Sequence, residues 1–135
     1  MTRNFSGIVF FLLILTTFLA GCANEKNKLV GVWKVSDVKT NFDESKVNPA
    51  TLQQVAELEK QTVLKFANDT SLVIMMGERN FSAFYTFDKP SGKIFYSFDG
   101  RSINMNELGI LKDETIISAS ETPVGMIEVI YLKSN

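Results

Sequence analysis

Beyond Lys60 the chain alternates short strand-like segments with turn-forming residues about every ten positions, and few architectures accommodate that rhythm. Thr62–Ala67, Ser71–Met76, Asn80–Asp88, Lys93–Phe98, Ser102–Leu108, Glu114–Glu121 and Met126–Lys133 read as strands. Between them stand Asn68-Asp69, Gly77-Glu78, Lys89-Pro90-Ser91-Gly92, Asp99-Gly100, Lys112-Asp113 and Thr122-Pro123-Val124-Gly125. These are residues whose small, polar or ring-locked side chains favour tight turns. Strands joined by tight turns run antiparallel. With Leu29–Thr40 as the first strand, the spacing predicts a mainly β protein, an up-and-down meander of about eight strands. An open sheet of that size would expose aggregation-prone edges, so closure into a small barrel is expected.

Alternation assigns the faces. Trp33, Val35, Leu64, Phe66, Leu72, Ile74, Ala83, Tyr85, Phe87, Ile94, Tyr96 and Phe98 are expected inside. Lys65, Ser82, Thr86, Lys93 and Ser97 are expected outside. From Ser102 to Glu121 neither face is cleanly apolar, and the assignment stays open there. One helix, Pro49 to about Lys60, separates the first two strands. Asn48 can cap it, and Pro49 suits a first helical position whose N–H would be unpaired anyway. Leu52, Val55, Ala56 and Leu58 form its apolar arc, with Gln53, Gln54, Glu57 and Lys60 opposite. Such a helix either caps a barrel end or lies on the outside.

The N-terminus carries a different signal. Arg3 is followed by an apolar run from Ile8 to Leu15, then Thr16-Thr17-Phe18 and the small-residue exit Leu19-Ala20-Gly21-Cys22. That order is the secretory pattern. Gly7 to Ala20 falls short of the roughly 20 residues a helical membrane span needs. The last four residues resemble a bacterial lipobox. That resemblance implies removal of residues 1–21 and a diacylglycerol on Cys22, the one cysteine of the chain. Two or more acyl chains hold a protein stably on a membrane. Residues 22–28 then form a lipidated tether and residues 29–135 the barrel domain. The residues after Cys22 do not resemble an inner-membrane retention signal, an Asp directly following the cysteine, so in a Gram-negative cell envelope the resemblance implies the outer membrane, on either face.

Composition excludes several classes. Lys and Arg are scattered among 15 acidic side chains with no basic stripe, so no nucleic-acid partner is expected. The chain has no histidine, which removes the commonest general base and transition-metal ligand together. Neither a nucleophile elbow nor a phosphate loop occurs. The carboxylate pairs Asp43-Glu44, Glu57/Glu59 and Asp113-Glu114 fall in turns, loops or a helix end and read as solvated charges. Glu107 and Glu128 lie within strands and matter only if they face inward. No enzyme activity, cofactor or metal is expected.

Gly31-Val32-Trp33 on the first strand, a short helix and a following meander resemble the lipocalin-like (calycin) domains of small bacterial lipoproteins. The resemblance implies a barrel whose closed end is crossed by the Trp33 indole, with Gly31 giving it room and Lys133 covering the ring. An ordinary core tryptophan is the other reading of Trp33. The helix follows the first strand here, and no Thr-Asp-Tyr motif occurs. Two functions fit such a chain. One is a membrane-anchored envelope binding module for a small apolar or amphipathic ligand, lined by Trp33, Phe66, Tyr85, Phe87, Tyr96 and Phe98. The other is a solid barrel that binds or inhibits another envelope protein through an exposed Phe84, Phe95, Tyr131 or Phe42. Internal volume discriminates between them.

Overall fold

The computed structural model describes residues 28–134. The expected export signal, Cys22 and the expected tether before Lys28 lie outside the described residues. The elements are β1 (Gly31–Phe42), α1 (Pro49–Lys60), β2 (Thr62–Phe66), β3 (Ser71–Met76), β4 (Arg79–Asp88), β5 (Lys93–Ser97), β6 (Asn106–Lys112), β7 (Thr115–Thr122) and β8 (Gly125–Ser134). Each strand pairs antiparallel with its neighbours in sequence, and β8 returns to β1, closing an eight-stranded barrel. Every strand therefore has two partners within residues 28–134, and this segment carries its own core. It is a self-contained folding unit.

The ladders are uneven, and that shapes the molecule. β1 and β8 pair from Val32↔Ser134 to Phe42↔Gly125, and β7 follows β8 from Thr115↔Leu132 to Thr122↔Gly125. β2 meets β1 only over Gly31–Lys34, and β7 meets β6 only over Ile110–Lys112. A long sheet, β7-β8-β1, and a shorter one, β2 to β6, are thus joined at one end and part toward the other. The joined end, where β1 begins, is closed; the parted end is the mouth. α1 leaves the mouth end of β1, packs against that strand and returns to the mouth end of β2. The Asn48 carboxamide oxygen accepts from the Ala50 N–H at 2.9 Å, and Pro49 holds the first position.

The closed end is built around Trp33. Its indole N–H donates to the Leu29 carbonyl at 2.8 Å, so a fully buried ring leaves no polar atom unpaired. Leu29, Leu64, Phe66, Leu72 and Ile94 are buried around it in one cluster. The Lys133 ammonium lies 5.9 Å from the Trp33 ring centroid and donates to the Lys28 carbonyl at 3.0 Å. Gly31 makes room: at φ +135° its β-carbon would fall 2.7 Å from Lys133 Cε. Phe66 meets Tyr85 edge-on at 4.8 Å, and the Tyr85 hydroxyl donates to the Asn68 carbonyl at 2.6 Å.

Two bulges break the alternation, one in the first strand and one in the later strand β6. In β1, Val35 pairs with Tyr131 and Asp37 with Ile130, so Ser36 is an extra residue and Val38 takes the inward face. In β6, Gly109 pairs with Ile94 and Glu107 with Phe95, so Leu108 is extra. Leu108 and Leu111, three apart, then both pack on the core. In β7, Ser118 and Ser120 share the inward face with Val129 and Ile127, beside the stretch where β6 has parted.

Several expectations are corrected. The strand expected at Ser102–Leu108 begins at Asn106, because Ser102–Asn104 is a turn of 3-10 helix. Asp99 draws this segment in, accepting from the Ser97 hydroxyl at 2.5 Å, the Arg101 N–H at 2.9 Å and the Asn104 amide at 3.4 Å. Ser97, expected outside, is only 1 % exposed. It stands opposite Phe84 in the ladder, and its hydroxyl is satisfied by Asp99. Phe98, expected inside, is 57 % exposed beyond the end of β5. Tyr131, expected among exposed residues, is 4 % exposed and inward. On α1, Leu58 is 62 % exposed and Glu59 is half-buried in its stead.

Candidate functional site

A cavity of about 290 Å³ opens at the mouth. Its walls are the inward side chains Leu64, Ile74, Tyr96 and Leu108, and its rim is Met76, Phe81 and Phe98. Phe98 meets Tyr96 edge-on at 5.5 Å and Phe81 at 6.4 Å, a chain of three rings along one side. The opening exists because β2–β6 and β7-β8-β1 separate above their last shared rungs. Ligand sites commonly combine apolar walls with a few placed polar groups. This one has Glu59, Thr62 and Tyr131, besides the Tyr96 hydroxyl on the side of the rings.

Glu59, Thr62 and Tyr131 are each held by a different element. Thr62 is the first residue of β2, opposite Met76, and is 5 % exposed. Its hydroxyl oxygen is buried with no hydrogen-bond partner, a state that costs about 1–3 kcal/mol. Tyr131 is set by β8 between Val35 on β1 and Ile116 on β7. Burial raises its phenol pKa well above the ordinary tyrosine value, and the neighbouring Glu59 charge raises it further. The phenol is therefore neutral at any physiological pH. Glu59 sits in the last turn of α1, and burial raises its carboxyl above the usual glutamate range. It forms no ion pair among the described residues, whereas Glu57 two positions away pairs with Lys60 at 3.1 Å in solvent.

Of the aromatic residues expected to line a ligand site, Tyr96 and Phe98 stand at this cavity. Trp33, Phe66 and Tyr85 pack the closed end, and Phe87 is half-buried near it, beside a shallow groove with Lys28, Lys89 and Asp113. Sequence reasoning missed Glu59, Thr62 and Leu108. The signal for Glu59 was present: at about 100° per residue it falls at the centre of the arc of Leu52, Val55 and Ala56. Glu107 faces solvent and pairs with Lys93 at 3.6 Å. Glu128 lies on the outer face, one residue out of step with the inward Ile127 and Val129, opposite Lys39.

Larger grooves lie outside the barrel. One of about 540 Å³ at the closed end mixes Lys28 and Lys133 with Asp113 and Glu114, and one of about 580 Å³ runs along the solvent side of α1 past Gln53, Gln54 and Glu57. Neither brings apolar walls together around a buried polar atom. Among the described residues no group of three or more acidic or thiol side chains could hold a metal, and no helix is long and apolar enough to cross a membrane. No family model, curated protein or solved structure matches this chain.

Proposed function

We propose that the protein is an envelope lipoprotein, anchored through Cys22, whose lipocalin-like barrel binds a small amphipathic molecule at its mouth without catalysing a reaction on it. The cavity carries this reading. It pairs apolar walls and a rim of rings with a buried hydroxyl that no protein group satisfies. A bound ligand supplies the missing partner and covers Phe81, Phe98 and Met76, which water otherwise meets. At about 30 Å³ per water-sized group, the space takes a ligand of about ten non-hydrogen atoms. That is smaller than a membrane lipid.

Native mass spectrometry of residues 23–135 with medium-chain alcohols, amines and acids tests the binding reading. One-to-one adducts that weaken when Phe98 is changed to Asp are the expected result. A spectrum free of adducts across the panel overturns it. The anchor is tested separately: Cys22→Ala should move the protein from the membrane pellet to the soluble fraction.

A further inference from the structure

Glu59, Thr62 and Tyr131 can each accept a hydrogen bond at the mouth, and among the described residues no protein group donates to them. Thr62 offers an orphaned hydroxyl oxygen, Tyr131 a neutral phenol oxygen and Glu59 a carboxylate with no cationic partner among the described residues. An alkylammonium group carries three N–H donors and one positive charge. We infer that the mouth selects a small amphipathic amine, its ammonium held by Glu59, Thr62 and Tyr131 and its apolar body laid between Leu64, Ile74, Leu108 and the Tyr96–Phe98 rings. This deepens the binding reading given above and rests on it.

Charge around the mouth points the same way. Besides Glu59, the loops and strand ends there carry Glu44, Glu78, Asp99 and Glu121 outside the ion pairs. Lys46 is drawn to Asp43 at 3.8 Å and Lys60 to Glu57, leaving Arg79 and Arg101 as the unneutralised bases. The summed field draws cations toward the opening. A carboxylate ligand would meet Glu59 with like charge in a half-buried setting, which disfavours fatty acids despite the apolar walls. A neutral alcohol could satisfy Thr62 and leave Glu59 without a counter-charge. The amine alone answers all three groups.

Titration of residues 23–135 with octylamine, octanol and octanoate at pH 7 separates these ligands, which share a chain and differ at the head. Octylamine should bind about tenfold more tightly than octanol, the advantage of a charge-assisted hydrogen bond, with octanoate weakest. Glu59→Gln should bring octylamine to the octanol level and leave octanol itself unchanged within about twofold. Glu57→Gln, on the solvent side of the same helix, should leave the amine preference intact. Equal binding of amine and alcohol, or equal losses in the two Gln variants, overturns amine selection while the mouth remains a ligand site. Failure of all three ligands to bind overturns the site itself.

Discussion

The two ends of this barrel are made from the same strands and obey opposite rules. At the closed end the buried polar groups are answered, the Trp33 indole by Leu29 and the Tyr85 hydroxyl by Asn68, and the exposed Lys133 ammonium donates to Lys28 over them. At the mouth a buried hydroxyl has no partner, a carboxyl is pushed above its usual range, and Phe81, Phe98 and Met76 face water. Both ends are rich in rings, so aromatic content does not separate them. What separates them is ladder length. Where all eight strands are paired the interior is small enough for side chains to fill it, and where the ladders stop the interior is left open. Stability is concentrated at one end, and binding capacity at the other.

Substitutions can break or sharpen that contrast. Phe66→Ala removes a fully buried ring and should cost about 3–5 kcal/mol in urea denaturation. Phe98→Ala, at the rim, should cost less than about 1 kcal/mol. Equal losses would mean that the mouth is packed like the base. Thr62→Val keeps the shape and removes the orphaned oxygen, so it should stabilise the protein by about 1 kcal/mol while weakening alcohol and amine binding. Gain and loss in one variant is the signature of a group kept for a ligand.

Glu59→Gln should have the smallest effect on stability, and its sign is informative. Burial raises the native pKa of this carboxyl above its unfolded value. Its contribution is therefore fully favourable below the unfolded pKa and is lost as pH rises through the raised native one. Above that window Glu59→Gln should gain no more than about 0.5 kcal/mol, and the gain should vanish on acidification. Denaturation midpoints followed from acid to neutral pH check this. A variant that loses stability at neutral pH would show that the carboxylate is already satisfied by the protein.

Much of the architecture was legible before any coordinates, because its determinants are local. Turn chemistry at Asn68-Asp69, Lys89–Gly92 and Thr122–Gly125 marks the chain reversals, and Asn48-Pro49 marks the helix start. Period-two patterning places Trp33, Leu64, Phe66, Tyr85 and Ile94 inside, where they are found. The bulges at Ser36 and Leu108 were not legible, since an extra residue is defined only by the strand across from it. Nor could alternation rank residues along the barrel axis. It tells which face a side chain takes, but not its height, so Phe66 and Phe98 look alike in sequence and stand at opposite ends. Tyr131 and Ser97 were misjudged on single positions, the first against its own strand's pattern of Ile127 and Val129. Glu59 was grouped with Glu57 as a solvent charge, although its helical phase sets it apart.

The chain enters the barrel at its base: Lys28 and Leu29 lie against the Trp33 plug, and five residues lie between Cys22 and Lys28. Fully stretched, that lead reaches about 20 Å. If Cys22 carries the acyl anchor proposed above, the lead joins the domain at its base, the end away from the mouth. The proposed ligand site would then lie at the end farthest from the acyl chains, open to the surrounding fluid.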